Sequence, residues 1–306
     1  MLLNRWQTTL ERPVSFSGKG LHSGRVVTLL VKPAPAHHGI MFGRTDISSG
    51  RKLPGRADHI STTVLSTTLG QGSASISTIE HLMAAFAGLG ITNALVLVDA
   101  PEIPIMDGSA ADFVRGFLEV GIADLSAPAF AYRLKKRLSI TDGDKHIVLE
   151  PSERQRITCS IDFSNSVIGK QFIEYKESIE SFLSIADART FCHFSDVQAM
   201  REKGLALGGG LDNAVVVTEN GVLNDSGLRS ADEFVKHKLL DLIGDFATLG
   251  APLLADIHAH KSGHALHAKA IQFLLDNKAQ YLEEFFPESS FDHVRKSKVS
   301  ASALYA

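Results

Sequence analysis

Two short alternations of apolar and polar positions open the chain. Residues 14–18 and 25–32, the latter carrying Val26, Val27, Leu29, Leu30 and Val31, are bounded by Gly or Pro and predict strands. The period changes at Ser77-Thr78-Ile79-Glu80. There a cap serine and a glutamate three residues on would satisfy each other's exposed amides, ahead of Leu82-Met83-Ala84-Ala85-Phe86-Ala87 and a Gly88 stop. Ala94-Leu95-Val96-Leu97-Val98 predicts a buried strand, and an amphipathic helix over 111–119 follows Asp107-Gly108-Ser109. From Gly121 to Arg137 the pattern lapses through Ser126-Ala127-Pro128-Ala129 into the basic Arg133-Leu134-Lys135-Lys136-Arg137. This predicts an inter-domain connection, with domains at 1–126 and 127–306.

Beyond the connection the order repeats. Strands are expected around 139–140, 146–149 and 157–163, and Ser230-Ala231-Asp232-Glu233 predicts a second capping box opening a helix to Leu249. Residues 203–224, with Gly208-Gly209-Gly210 and Ala214-Val215-Val216-Val217, predict a short helix-loop-strand unit added to the second half. Both halves thus run from sheet into long helices, so element order suggests a duplicated α+β architecture.

Composition narrows the function classes. The 306 residues are 44% apolar and 21% charged, enough for a sizeable core. Thirty-one basic against 34 acidic residues give −3, with no block of one sign, which argues against a polyanion-binding protein but leaves a local phosphate pocket open. Cys159 and Cys192 are too few for a disulfide framework and read as thiols of a reducing compartment. The amino terminus lacks the apolar run of a signal peptide, and the uncharged stretch over 82–98 is broken by Gly88, Gly90 and Asn93. A soluble cytoplasmic protein is expected. No G-x-S-x-G elbow or Walker-type phosphate loop occurs, and Gly18-Lys19-Gly20-Leu21-His22-Ser23 lacks the last glycine of a dinucleotide fingerprint.

Histidines carry the remaining chemistry. His237, Asp241 and Asp245 fall at i, i+4 and i+8, one polar stripe on a helix otherwise bearing Phe234, Val235, Leu239, Leu242, Ile243 and Phe246. An imidazole and a carboxylate four apart point the same way and can share a metal, although the same spacing describes a surface ion pair. His81 beside Glu80 offers a third ligand with a general base, or merely follows a capping glutamate. Asp256 to His267 holds four histidines in ten positions, with His258 and His260 on one strand face and His264 presented by a Ser262-Gly263 turn. This reads either as a solvated loop or as a source of imidazolium for an oxyanion. Thr190, in Ala188-Arg189-Thr190-Phe191, has a hydroxyl suited to the same task.

Taken together these segments resemble the bacterial UDP-3-O-acyl-N-acetylglucosamine deacetylases, zinc amidases of lipid A synthesis. The resemblance runs nearly end to end. It rests on Gly18-Lys19-Gly20-Leu21-His22-Ser23-Gly24, Ser77-Thr78-Ile79-Glu80-His81-Leu82, Pro101-Glu102-Ile103-Pro104-Ile105-Met106-Asp107-Gly108-Ser109, Ala188-Arg189-Thr190-Phe191, Asp232-Glu233-Phe234-Val235-Lys236-His237-Lys238 and Lys261-Ser262-Gly263-His264.

The resemblance implies two similarly built α+β domains. Each is a sheet against a pair of helices, and the second carries a β-α-β-like insertion at about 195–225. It implies one catalytic Zn2+ held by His81, His237 and Asp241, a ligand set that also suits Fe2+. Glu80 is then the base that activates water. His264, oriented by Asp245, stabilises the oxyanion or protonates the departing amine, and Thr190 donates to the same oxyanion. Lys238 matches a position contacting the nucleotide diphosphate, and Asp162, Phe163 and Phe191 match positions near the nucleotide. Leu21, His22, Val197, Met200 and Ala206 match positions along the passage for the 3-O-acyl chain.

The sequence departs from the family pattern at His267, where Asn often stands, and at Gly210, where Ser occurs. The first bears on local loop contacts, and the second, with Ala206, on the width of the passage. The expected activity is hydrolysis of the N-acetyl group of UDP-3-O-acyl-N-acetylglucosamine. The expected partner is that small molecule alone, without nucleic acid or an integral membrane segment, and the chain is expected to be monomeric. The alternative is a binding or regulatory protein in which the metal is structural. Retention of Glu80, Thr190 and His264 favours the enzyme, because a closed structural site needs a fourth protein ligand.

Overall fold

The alternation in the first half builds a half-buried sheet. Along Val26–Pro33 the side chains of Val27, Leu29 and Val31 are fully buried, while Val26 and Thr28 face solvent. The computed structural model of the chain describes residues 2–48, 50 and 52–287. In it, five strands run in the order Val14–Lys19, Val26–Pro33, Ala94–Val98, Ile40–Arg44 and Lys52–Pro54. All neighbours are antiparallel except Ile40–Arg44, which runs parallel to Ala94–Val98. Helix α1 (Glu80–Leu89) is buried along its whole length, and α2 (Ala111–Val120) packs on it and on the edge strand Val14–Lys19.

The stretch expected to be a connection is sheet. Ile122–Pro128 pairs with Trp6–Leu10, and Ala131–Leu134 already belongs to the second sheet, leaving only Ala129 and Phe130 between them. The basic run is no linker because Ala131, Tyr132 and Leu134 face inward, while Arg133 and Arg137 reach Glu153 at 3.0 Å and Glu150 at 3.2 Å.

In the second half the main path is Leu138–Asp142, Lys145–Pro151, Leu253–His260, Ala131–Leu134 and Leu282–Phe285. Arg156–Asp162 also pairs with Leu253–His260, in parallel, and carries Lys170–Lys176 outside it. Helix α3 (Ile179–Leu183) precedes a parallel pair, Phe191–His193 and Val215–Val217, joined through α4 (Phe194–Glu202). The insertion is therefore β-α-β, but its helix lies upstream of the expected 203–224, which is turns up to Val215 because Gly204 and Gly208-Gly209-Gly210 do not sustain a helix. Helices α5 (Glu233–Ala247) and α6 (His264–Asp276) pack on the second sheet. The fold class is α+β, and one apolar cluster runs through both halves. Residues 288–306 of the expected second domain lie outside the described residues, and among the described residues no helix is long and apolar enough to cross a membrane.

What brings the two halves together is the crossing of α1 on α5, and a glycine allows it. A Cβ at Gly244 would lie 2.0 Å from the carbonyl oxygen of Glu80 and 3.1 Å from the amide nitrogen of Ala84. Only a residue without a side chain permits this approach, which sets the first turn of α1 against the middle of α5.

Neither expected capping box forms. Thr78 takes a left-handed φ of +59°, so Ser77 leaves the helix end and its hydroxyl donates to Pro101 O at 3.2 Å. Glu80 instead accepts from the Thr67 amide at 3.0 Å. At α5, Glu233 is drawn away by Arg189 and Arg229, while Ser230 Oγ accepts from Lys236.

Candidate active site

His81 lies in the first turn of α1, and His237 and Asp241 lie one turn apart on α5, so the helix crossing brings three buried donors together. Asp241 Oδ1 is 3.5 Å from His81 Nε2 and 3.4 Å from His237 Nε2, and the three donor atoms fall within 4.8 Å of one another. Ligands about 2.0–2.2 Å from a tetrahedral ion sit roughly 3.4 Å apart, so the group has the dimensions of a zinc site. His237 Nδ1 faces Ala188 O at 3.0 Å, which places the ring proton there and leaves the Nε2 lone pair free for a cation. Burial pushes the pKa of His237 down to about 3, so the ring is neutral, as a ligand must be. Lys238 Nζ holds the other oxygen of Asp241 at 2.6 Å. The residues present therefore fit a divalent cation.

A second group lies against the first. Glu80, the neighbour of His81, is fully enclosed, and burial raises its pKa despite the opposing charges of His264 and His81. His264 Nε2 stands 3.9 Å from Glu80 Oε1, while its Nδ1 meets Asp245 Oδ2 at 2.7 Å. Burial would lower the pKa of His264, but the charge and hydrogen bond of Asp245, with help from Glu80 and Asp241, lift it to about 10. Asp245 is held below the usual carboxylate range by His264 and by the bonds from His264 and His267, against the cost of its burial. At neutral pH the pocket thus contains an imidazolium facing a base of raised affinity for protons, an arrangement suited to shuttling them.

His264 is not in a turn. It is the first residue of α6, where the helix dipole disfavours a cation, so Asp245 overrides both dipole and desolvation. His258 and His260 remain on their strand, bonded to Thr158 and Ser160 at 2.8 Å each, outside the two groups just described.

The remaining expected residues divide. Thr190, Phe191, Phe163, Lys238, Leu21, His22, Val197, Met200 and Ala206 all line one cavity of about 520 Å3, together with Gly210. Phe191 joins this cavity to the metal group, its ring 6.2 Å from that of His237, 5.7 Å from Phe163 and 5.6 Å from the Lys238 ammonium. Asp162 does not line the cavity; its carboxylate faces Lys170 and Lys261, each at 3.7 Å.

Three side chains escaped the reading of residues. Thr67 donates its hydroxyl to Asp245 Oδ1 at 2.6 Å as its amide holds Glu80, and nothing in Leu65-Ser66-Thr67-Thr68 marks it. Buried Glu102 accepts the amides of His22 and Ser23 at 2.7 and 2.8 Å, fixing the turn that forms one wall of the cavity. His267, expected to affect only loop contacts, is instead fully buried on α6. Its Nδ1 meets Asp245 Oδ2 at 2.7 Å and its Nε2 meets Ser262 Oγ at 2.9 Å, because one helical turn from His264 places both rings over the same carboxylate.

Comparison with known proteins finds relatives over most of the chain. The family profile described as UDP-3-O-acyl N-acetylglycosamine deacetylase matches residues 7–276. A UDP-3-O-acyl-N-acetylglucosamine deacetylase of Geobacter sp. (strain M21) is 45% identical over 287 residues, covering 93% of this chain and 94% of the relative. The proteins of that name from Geotalea uraniireducens (strain Rf4) and Shewanella violacea are 46% and 44% identical, over 88% and 97% of this chain and the same shares of their own.

Proposed function

The chain belongs to the family of UDP-3-O-acyl N-acetylglycosamine deacetylases, and on that premise we propose that it hydrolyses the N-acetyl group of UDP-3-O-acyl-N-acetylglucosamine. The products are acetate and the free amine, the reaction serves lipid A biosynthesis, and we place it in the cytoplasm. One zinc ion would be held by His81, His237 and Asp241, a donor set that ferrous iron also suits. The observation that carries the reading is the placement of two proton-handling side chains, Glu80 and His264, 3.9 Å apart beside an incomplete three-donor metal group. A structural zinc would need a fourth protein ligand, and among the described residues that group holds three donors.

An acetamide is a poor electrophile with a poor leaving group. When bound, zinc lowers the pKa of water toward neutrality and polarises the carbonyl. Glu80, its proton affinity raised by burial, takes the proton from the attacking water. His264 arrives protonated and is steadied by Asp245, so it can stabilise the oxyanion and then protonate the departing amine from Nε2. Thr190, at the cavity wall, donates to the same oxyanion. Lys238 meets the diphosphate, Phe163 and Phe191 bound the nucleotide, and the cavity lined by Leu21, His22, Val197, Met200 and Ala206 takes the acyl chain.

The test is release of acetate from UDP-3-O-acyl-N-acetylglucosamine before and after chelation. Turnover that is lost with chelator and returns with about one equivalent of zinc supports the reading. Folded, zinc-loaded protein inactive across several acyl lengths would instead assign the metal a structural role. Glu80→Ala is expected to keep zinc and lose about 10²–10⁴-fold in kcat, and unchanged turnover would remove Glu80 from the base role.

A further inference from the structure

Arg189 and Glu233 form a buried ion pair that the chemistry above leaves unused. Arg189 Nε donates to Glu233 Oε1 at 2.8 Å and Nη2 to Oε2 at 3.1 Å, a two-bonded fork. The amides of Arg189 and Arg229 donate to the same carboxylate at 3.1 and 2.7 Å, and Arg189 Nη2 also reaches Gly227 O at 2.8 Å. The fork itself is weak evidence for stability, because two apolar side chains of similar size often serve a core as well as a buried ion pair.

Its place in the fold supplies the explanation. Arg189 stands between Ala188, whose carbonyl receives His237 Nδ1, and Thr190, which lines the cavity. Glu233 lies one helical turn before His237 on α5. The pair therefore closes a small ring: Glu233, the α5 turn, His237, its bond to Ala188, and back through Arg189. Arg229 extends the brace, donating to Asp107 Oδ2 and Asp187 O at 2.8 and 2.7 Å, while Thr190 N donates to Gly108 O at 2.8 Å. Without the Glu233 carboxylate, which also takes the Arg189 amide, the segment 188–190 is hydrogen-bonded to α5 chiefly through His237.

We propose that Arg189 and Glu233 are positioning residues that hold Ala188 O against His237 and Thr190 at the cavity wall, so that one ion pair sets both metal affinity and alignment of the oxyanion donor. This rests on the metal reading proposed above. Loss of such outer partners typically weakens metal binding or activity ~10–100-fold.

The test compares the whole chain with Arg189→Met/Glu233→Leu, which removes both charges together, and with Arg189→Lys, which keeps the charge but loses the fork. Zinc dissociation constants are measured on the apo proteins by competition with a chromophoric chelator, alongside thermal midpoints, kcat and KM. We expect the double variant to fold with a lowered midpoint, because the amides of Arg189 and Arg229 lose their acceptor, and to bind zinc ~10–100-fold more weakly, its kcat falling more than its KM rises, with Arg189→Lys intermediate. Parental zinc affinity in the folded double variant overturns the proposal. If that variant does not fold, Arg189→Lys decides: weakened zinc binding supports the proposal and parental affinity overturns it. Failure of the parent chain itself to bind zinc would refute the metal reading and leave the pair without this role.

Discussion

Replacing Gly244 with alanine sets two effects of opposite sign against each other. In a helix interior that exchange normally stabilises by about 0.8–1.0 kcal/mol, since alanine loses less backbone entropy. Here the new Cβ would lie 2.0 Å from Glu80 O, and a backbone carbonyl cannot swing aside as a flexible side chain can. Restoring a tolerable contact requires α1 to withdraw from α5 by about 1 Å, and overpacking of this kind costs about 1–3 kcal/mol. Packing therefore wins, and the apo protein should melt a few degrees lower, at about 2–4 °C per kcal/mol for a chain somewhat smaller than this one.

The displaced carbonyl belongs to the peptide that precedes His81, so the ligand moves with it. Metal sites tolerate roughly ±0.2 Å in ligand distance, and a misplacement of about 1 Å costs on the order of 10²-fold in rate. Differential scanning fluorimetry with and without zinc, and chelator competition, read both effects. An apo Gly244→Ala protein as stable as the parent, or more stable, with parental zinc affinity, would refute the close-contact reasoning.

Asp245→Asn should let His264 lose its proton near or below the ordinary value of 6.5 instead of about 10, shifting the alkaline limb of the kcat/KM profile downward; an unmoved limb would separate His264 from Asp245. Because the folded pKa of His264 is raised and that of Asp245 depressed, the pair stabilises most between about pH 4 and 6.5, fades toward pH 10 and is lost in acid, so the gap in thermal midpoint between parent and variant should shrink at both ends. His267→Phe keeps a ring of similar size but leaves Asp245 and Ser262 each short of a partner, so urea titration should show a loss of about 1–3 kcal/mol, and a change below about 0.5 kcal/mol would mark those bonds as dispensable. Met200→Trp narrows the acyl cavity and should raise KM for long-chain substrates by about fourfold per methylene displaced, with little change for short ones; an equal effect at every length would place the chain elsewhere.

These outcomes turn on contacts between elements, which is also where the reading of residues stopped. The stripe of His237, Asp241 and Asp245 was legible because all three share one helix, whose period is written in their spacing. The strand Ala94–Val98 was legible for the same local reason. Glu80 and Glu233 both fit a capping pattern in the sequence and cap nothing in the structure, because a Ser-x-x-Glu pattern carries no information about competing partners. Thr67 claims the first and Arg189 the second, from 13 and 44 positions away. The residue that decides whether the stripe faces His81 is Gly244, which in a helical pattern reads only as a weak position. Its meaning, a 2.0 Å approach of a backbone carbonyl, exists only once α1 lies across it. His267 shows the same limit from the other side: one turn after His264 its register is local, but the carboxylate that both rings share is supplied by a different helix. The metal ligands are thus unevenly legible: the pair on α5 follows from periodicity, whereas His81 beside Glu80 reads only as one of two alternatives until the resemblance is drawn, because the third donor crosses from the other half of the chain.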